Sequence, residues 1–233
     1  MQGVTVIRKR EAPTNSEMLD DQDPLKAIQK YRDRAQGYDA TARRTFALRN
    51  RAIGLLELGP GETVLDVACG TGLSLPLLHA RVGPAGRVLG VEVSPEMMSQ
   101  ARERVAREGW RNVKLIEAAM EDADLGERFD AVLFNYTHDV LQSPRALRNI
   151  FSFARPGARV ALAGIKHPPG WLYPLRLYRL LKARPYVTTL RGLERPWALA
   201  AGYLNGLAVS PVMLGTNYLA HGRVAASGSG TGA

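Results

Sequence analysis

The sequence has a single cysteine, Cys69, among its 233 residues. One cysteine excludes an internal disulfide. The four histidines are scattered without the spacing that a structural zinc site requires, so we expect no metal. The framework is therefore expected to be held by packing alone, as in a reducing compartment.

Long apolar runs are also missing. No stretch reaches the roughly 18 uninterrupted apolar residues of a membrane-spanning helix, and the first residues lack the apolar segment of a secretory signal. These absences predict a soluble, cytoplasmic protein. Hydrophobic residues still make up 45% of the chain, which is enough for the core of one globular domain.

Acidic residues are few relative to basic ones, 22 against 31, which gives a net charge of +9. Such a charge suits nucleic acid, an anionic membrane surface or an acidic small molecule. The basic residues are spread along the whole chain, however, and do not mark one binding face. Charge-driven binding is therefore the weaker expectation.

The chain divides into a leader, one domain and a tail. Residues 1–22 show no hydrophobic period and residues 225–233 are small and Gly/Ser-rich, so both ends are predicted to be flexible around a domain of residues 23–224. One helix is expected from Asp23 onward. A second is expected over residues 42–58, ending at the Gly-Pro-Gly turn of residues 59–61.

Beyond that turn, short apolar runs alternate with helical segments. The runs cover residues 63–68, 87–93, 113–118, 129–136 and 158–165. Strands that are apolar on both faces and joined by helices predict a doubly wound, mostly parallel α/β sheet. Residues 166–205 lack this alternation and are predicted to form a lid. Two β-prone runs around Gly215-Thr216-Asn217 predict an antiparallel hairpin that completes seven strands.

The first predicted strand leads into the stretch "VLDVACGTGLS", residues 64–74. Gly70 and Gly72 allow positive φ and close approach of a ligand to the main chain. Asp66 can accept hydrogen bonds from the turn's backbone N–H groups or from a cationic ligand. By itself the turn fits either a nucleotide-like cofactor or a tight strand-to-helix connection.

The second strand, "VLGVEVSPEMM", ends in Glu92 some twenty residues further on. A carboxylate at this point can accept both hydroxyls of a ribose, which favours the cofactor interpretation. A dinucleotide fits less well, because the turn lacks the third glycine of the pyrophosphate-binding motif.

Four spaced stretches, "VLDVACGTGLS", "VEVSPEMM", "FDAVLFNYTHDVLQ" and "ARPGARVALAG", resemble the core motifs of class I S-adenosylmethionine-dependent methyltransferases. The resemblance covers about residues 60–165. It implies a Rossmann-like α/β fold, S-adenosyl-L-methionine as cofactor and methyl transfer as the reaction. The cofactor-binding residues that it implies are Asp66, Ala68, Gly70, Gly72, Glu92, Val93, Met97, Ala119, Met120 and Asn135. Met98 is an alternative to Met97 beside the adenine.

The sequence departs from the family pattern after the third strand, where many relatives carry an acidic residue that binds the adenine amine. Here "EAAMED" puts Ala118 at that position. Adenine recognition is therefore expected from backbone groups near Ala119 and Met120, or from Glu121.

The loop "NYTHDVLQSP" after the fourth strand is expected to face the methyl group that is transferred. His138 is the candidate general base, since an imidazole titrates near neutral pH, and Tyr136 is the second candidate catalytic residue. The alternative for His138 is a hydrogen-bonded loop histidine. The predicted substrate-binding residues are His138, Tyr31, Tyr38, Trp171 and Tyr173.

Aromatic residues are concentrated in the first helices and the lid. The family often builds its acceptor pocket there, and aromatic walls favour a flat or cationic acceptor. The alternative is that several of these side chains pack the lid on the sheet. The set comprises Tyr31, Tyr38, Trp171, Tyr173, Tyr178, Tyr186, Trp197 and Tyr203.

The leading hypothesis is N- or O-methylation of an aromatic or amine-bearing small molecule. The segment "YRDRAQGYDATARRTFALRNRAI" is also similar to quinone-biosynthesis and lipid-amine methyltransferases, so a lipid or quinone methyltransferase with weak association with anionic membranes is the first alternative. A nucleic-acid methyltransferase is disfavoured because the loop reads "NYTH" and lacks the base-stacking motif. A non-catalytic cofactor-binding protein is the last alternative. Both a monomer and a homodimer are compatible with the sequence.

Overall fold

The computed structural model describes residues 5–7, 45–167 and 192–226. Within these ranges the chain builds one sheet of eight strands in the order β1-β7-β8-β6-β5-β2-β3-β4. The strands are β1 (Thr5–Ile7), β2 (Thr63–Val67), β3 (Arg87–Glu92), β4 (Val113–Glu117), β5 (Phe129–Asn135), β6 (Ala154–Ile165), β7 (Leu204–Val212) and β8 (Asn217–Val224).

The helices of the described ranges are α1 (Phe46–Gly54), α2 (Leu75–Val82), α3 (Pro95–Glu108), α4 (His138–Leu141), α5 (Pro144–Phe153) and α6 (Ala198–Ala201). Two of them begin at the same local signal. The Ser94 and Ser143 hydroxyls cap α3 and α5 by accepting from the Met97 and Ala146 N–H groups, each cap being followed by a proline at the first helical position.

Neighbouring strands from β4 through β6 pair in parallel, and β6, β8 and β7 pair antiparallel. This architecture confirms the predicted doubly wound sheet with its C-terminal antiparallel hairpin. β2 and β5 are buried along almost their whole length, as expected for strands covered on both faces. β4 is the edge strand and is only partly buried.

Several boundaries differ from the sequence-based expectation. Helix α1 ends at Gly54 rather than near residue 58. The N–H groups of Leu56 and Glu57 donate to carbonyls three residues earlier, and Glu57 adopts a φ of 47°, which ends the helical pattern. Strand β6 begins at Ala154, four residues earlier than expected, with an irregularity in its pairing to β5.

The predicted flexible leader is not uniform. Its residues Thr5–Ile7 form β1, which pairs antiparallel with β7 and adds an eighth strand to the expected seven. This run is rich in β-branched residues, which favour extended backbone beside an open sheet edge. The rest of the leader, the first expected helix and residues 168–191 of the expected lid lie outside the described residues.

The described part of the expected lid packs against the sheet. Residues 192–203 include α6, and Trp197 is buried with its ring 4.8 Å from that of Tyr218. His167 N donates to Leu193 O at 2.8 Å and Gln142 Nε2 donates to Pro196 O at 3.2 Å. This segment is therefore fastened to the end of β6 and to α4. Among the described residues, no helix has the length and apolar character needed to cross a bilayer.

Gly90 of β3 shows how closely the sheet packs beneath the expected cofactor turn. It pairs with Asp66 of β2. A Cβ at this position would lie 2.8 Å from Leu115 Cδ2 and 3.0 Å from Cys69 Sγ. Cys69 is buried, and its thiol occupies the space that Gly90 leaves.

We expect Gly90→Val to lower the free energy of unfolding by about 1–3 kcal/mol, because the added atoms overpack this contact. Urea denaturation followed by circular dichroism measures the change. Gly54→Ala is the matched control, since its Cβ meets nothing within 4 Å and alanine favours a helix. A Gly90 variant as stable as the Gly54 variant would contradict the packing described.

Candidate active site

The candidate site lies where the carboxyl ends of β2 and β5 meet at the centre of the sheet. The chain passes from β2 outward to β3 and β4, then returns to β5 on the other side of β2. Adjacent strands whose connections leave in opposite directions open a crevice at their carboxyl ends, and ligands of doubly wound proteins bind there.

The turn after β2 is built from residues with positive φ. Ala68, Gly70 and Gly72 have φ of 48°, 58° and 79°. A side chain at Gly72 is disfavoured by its φ, and its Cβ would also lie 2.7 Å from Leu75 Cδ1, so that the Leu75 side chain would have to shift. Ala68 adopts a conformation that is unfavourable for a residue with a Cβ, and such local strain is concentrated at functional sites.

Glu92 at the end of β3 holds this turn in place. Its Oε2 accepts from Gly70 N at 3.0 Å and its Oε1 accepts from Ser94 N at 2.8 Å. Burial raises the pKa of the Glu92 carboxyl, while these backbone hydrogen bonds oppose the rise. Each oxygen keeps a lone pair for a further donor such as a ribose hydroxyl.

Asp66 lies beside Glu92 at the end of β2 and is 1% exposed. The sequence left two roles open for its carboxylate, binding the N–H groups of the turn or binding a cationic ligand, and the Gly70 N–H is taken by Glu92. Within the described part of the chain, Asp66 Oδ2 has no hydrogen-bond partner. Burial raises the pKa of Asp66 to about 7, against the lowering effect of Arg49 and Ser74, while Glu92 raises it further. A buried acceptor of this kind is unfavourable unless a ligand supplies a donor.

Arg49 is the site residue that sequence reasoning missed. It comes from α1 and is buried, and its Nη1 donates to Ser74 Oγ at 2.6 Å. With the Asn135 carboxamide oriented so that both groups are satisfied, its oxygen accepts from Arg49 Nη1 and Nη2 at 2.9 and 3.1 Å. The signal was available, since Arg49 shares the buried face of α1 with Leu48, Ala52 and Ile53.

The predicted residues on the adenine side follow β3 and β4. Met97 is buried in the first turn of α3, whereas Met98 is fully buried in the core. Val93 and Ala119 are partly exposed at the two strand ends. Met120 is buried, and its carbonyl accepts from Asn149 Nδ2 at 2.8 Å.

Glu121, the alternative adenine ligand, is engaged elsewhere. Its Oε1 accepts from Ser143 Oγ at 2.6 Å, which ties the carboxylate to the residue that caps α5. The Ala119 and Met120 carbonyls are hydrogen-bonded as well, to Asp122 N and Asn149 Nδ2, so both alternatives for the adenine stay predictions.

The candidate catalytic residues follow β5. Tyr136 has a φ of 61°, its N–H donates to Ala163 O at 2.7 Å, and its hydroxyl accepts from Asn217 Nδ2 at 3.0 Å. The last hairpin thereby contributes to this edge of the site. His138 is nearly buried as the first residue of α4. The structure thus brings both residues to the strand end that also carries Asn135.

The predicted acceptor aromatics are only partly described. Tyr31, Tyr38, Trp171 and Tyr173 lie outside the described residues, as do Tyr178 and Tyr186. Trp197 packs into the core. Tyr203 stacks on Phe151, with ring centroids 4.5 Å apart. It lies far from the candidate site, at the amino ends of the parallel strands, because the next residue, Leu204, pairs with Val224 at the end of β8. For Trp197 and Tyr203 the packing alternative is therefore correct.

Comparisons with known proteins match this geometry to one domain family. Residues 64–157 match the family model described as a methyltransferase domain. An arsenite methyltransferase of Halobacterium salinarum is 34% identical over 110 residues, which are 46% of this chain and 28% of the relative. A 2-phytyl-1,4-naphtoquinone methyltransferase of Thermosynechococcus vestitus is 32% identical over 52% of this chain and 53% of the relative. A demethylmenaquinone methyltransferase of Listeria monocytogenes is 31% identical over 56% of each chain.

Solved structures share the fold. A SAM-dependent methyltransferase from Aquifex aeolicus superposes with a TM-score of 0.60 at 22% identity, covering 87% of this chain and 98% of the other. An N-methyltransferase from Bradyrhizobium japonicum in complex with S-adenosyl-L-homocysteine gives a TM-score of 0.53 at 17% identity, over 76% and 86% of the two chains.

The fold is that of a Rossmann-like methyltransferase domain. Residues 64–157 match the methyltransferase-domain family, and the chain is similar to SAM-dependent methyltransferases in sequence and in fold. The chain spans about half the length of the quinone methyltransferases and 28% of the arsenite methyltransferase.

We expect Glu92→Ala to weaken binding of S-adenosyl-L-homocysteine by about 10- to 100-fold, because the turn loses a charged acceptor worth about 1.5–3 kcal/mol. Isothermal titration calorimetry measures the dissociation constant. Glu117→Ala is the control, since Glu117 pairs in register with Glu92 but is exposed and bonded to Arg102. Equal affinities of the two variants would show that Glu92 does not organise the site.

Proposed function

We propose that the protein transfers a methyl group from S-adenosyl-L-methionine to a small-molecule acceptor. The observation that carries the proposal is the pair of buried carboxylates at adjacent strand ends, one holding the glycine turn and the other with an oxygen that has no hydrogen-bond partner in the described residues. Their position in the matched methyltransferase domain supports it.

The residues at this site fit the cofactor. Asp66 Oδ2 is a buried acceptor suited to the ammonium of the methionine part, and Glu92 retains capacity for the ribose hydroxyls. The turn at Gly70 and Gly72 offers main chain without side chains in the way. Arg49, Asp66 and Glu92 sum to one negative charge when all are ionised. This sum complements the single net positive charge of S-adenosylmethionine.

For methyl transfer, the main contribution of the protein is to orient the acceptor against the cofactor. When bound, the cofactor supplies an activated methyl group on its sulfonium. The chain must hold the acceptor in line with that methyl and exclude water. Where the acceptor atom carries a proton, the imidazole of His138 is proposed to accept it. Tyr136 is proposed to line the acceptor side, with its hydroxyl fixed by Asn217.

For the acceptor we propose an aromatic or amine-bearing metabolite that is methylated on nitrogen or oxygen. Support comes from the position of Tyr136 and His138 at the end of β5, where a flat acceptor would meet an aromatic ring and a base. A net charge of +9 also favours acceptors that carry an acidic group.

A quinone or lipid acceptor taken at a membrane surface is the second candidate. Two observations favour it: the naphtoquinone and demethylmenaquinone methyltransferases among the relatives, and the tip of the β7–β8 hairpin. There Met213 and Leu214 are 49% and 66% exposed, at the same sheet edge as the end of β6. Two exposed apolar side chains above a cofactor edge suit contact with an apolar acceptor or its membrane.

The arsenite relative is a weaker guide to the acceptor. Arsenic compounds are bound by soft thiolate ligands. The thiol of Cys69 is buried beneath the glycine turn, and burial raises its pKa well above the usual range. This thiol is therefore held in its protonated form and is engaged in packing.

Purified protein with S-adenosyl-L-methionine is expected to methylate one of three probes: an aromatic amine, a phenol or a reduced 1,4-naphthoquinol. Mass spectrometry of the products detects the added methyl group.

His138→Gln should lower kcat for phenol or naphthoquinol by about 100-fold or more, since these acceptors must lose a proton, and should affect a neutral amine less. His221→Gln is the control because His221 is exposed on β8. Equal losses in both variants would contradict the role of His138.

Liposome co-sedimentation separates the two acceptor candidates. If the hairpin tip contacts a membrane, the protein sediments with anionic vesicles at low salt, and Met213→Ser with Leu214→Ser weakens this binding. Phe46→Ser is a control, since Phe46 is another exposed apolar residue but lies on α1. Absence of binding by the unaltered protein would remove the membrane version.

A further inference from the structure

The guanidinium of Arg49 joins three segments that meet beneath the candidate cofactor site. It hydrogen-bonds Ser74, which precedes α2, and Asn135, which ends β5. Its charge also acts on Asp66 at the end of β2. Arg49 itself belongs to α1, outside residues 64–157 that match the family model.

A buried arginine needs such partners. Removing a guanidinium from water is unfavourable unless charges or hydrogen bonds compensate for the lost hydration. Arg49 is 5% exposed, and its Nε has no hydrogen-bond partner in the described residues. The buried cation is thus held by two neutral oxygens and by its attraction to the Asp66 carboxylate.

Asp66 in turn depends on this cation. Among the described residues, the charged groups that act on it are Arg49 from α1 and Glu92 from β3, and the Cys69 thiol follows it in the turn. Glu92 disfavours the anionic form of Asp66, and Arg49 is the cation that favours it. An ammonium ligand is bound well only by the anionic form.

We propose that Arg49 is a positioning residue for the cofactor: it fixes Asn135 and the start of α2, and it maintains Asp66 as the carboxylate that receives the ammonium group of S-adenosylmethionine. The inference rests on the proposed function, since it presumes this cofactor. It assigns to α1 a direct part in the affinity for the cofactor and in the pH dependence of that affinity.

The sign of the pH effect follows from the protonation of Asp66. Its pKa of about 7 means that ionisation proceeds as pH rises through neutrality, so affinity should rise between about pH 5.5 and 7.5. Loss of Arg49 removes a cause that lowers this pKa, so the midpoint should move upward, by about one pH unit or more. Within this range the ligand's amino group keeps its proton, and a midpoint raised above the range appears as an affinity that is still rising at about pH 7.5.

The test is calorimetric titration of S-adenosyl-L-homocysteine across this pH range with Arg49→Met, Arg49→Lys and Asp66→Asn. We expect Arg49→Met to weaken binding at neutral pH by about tenfold and to raise the midpoint, while Arg49→Lys keeps the midpoint near that of the unaltered protein. Asp66→Asn should bind weakly without a midpoint in this range. Adding Arg49→Met to Asp66→Asn should then lower the affinity by less than Arg49→Met does alone, because only its contacts to Ser74 and Asn135 remain to be lost.

Arg51→Met is the matched control, since Arg51 lies two residues away on α1 and is exposed. The carbon-13 shift of the Asp66 carboxyl, followed by NMR without ligand, reports the same midpoint independently of binding. Thermal unfolding of each variant shows whether it is folded.

The outcomes separate the two proposals. If the unaltered protein fails to bind S-adenosyl-L-homocysteine at any pH, the proposed function fails. If it binds and Arg49→Met lowers thermal stability with the midpoint unchanged, Arg49 is a structural tether only and the inference is overturned. A pH dependence that persists in Asp66→Asn belongs to another titratable group and also overturns it.

Discussion

The site depends on one constraint, the burial of charged side chains at the central strand ends. Asp66 and Glu92 are almost inaccessible to solvent, and so is Arg49 from α1. A buried charge is tolerated only with strong partners. Glu92 finds them in two backbone N–H groups, and this pairing couples the turn after β2 to the end of β3. The glycine turn is therefore held in position by its hydrogen bond to the buried Glu92 carboxylate.

The two carboxylates have different environments and therefore different roles. Glu92 is satisfied by the protein's own main chain, so it serves as a fixed element of the framework with capacity left for hydroxyl donors. Asp66 is balanced by a cation at longer range and keeps one oxygen without a partner in the described chain. The first arrangement gives rigidity, and the second leaves interaction energy for a cationic ligand.

The sequence was sufficient for most of the fold because the core strands are buried on both faces. Apolar runs such as that of β2 have no other stable placement in a doubly wound domain. The start of β6 was missed because Arg155 and Gly157 read as a loop, although they continue the strand. Strand β1 was missed because three residues carry almost no periodic signal and depend on the open edge of β7 for pairing.

The sequence predicted those residues of the candidate site that lie at or just after the end of a core strand. The glycines and Glu92 follow their strands directly, and spacing alone brings them together. Arg49 reaches the site from a helix that precedes the motif. In the sequence, 25 residues separate it from Ser74, and the segment from β2 through β5 separates it from Asn135. Such a contact is created by the packing of α1 on the sheet. A charged residue on the apolar face of a helix is nevertheless a signal, because the burial of its charge requires a partner elsewhere in the fold. In this domain the partners lie at the candidate cofactor site, so the helix that precedes the motif is part of that candidate site as much as the motif is.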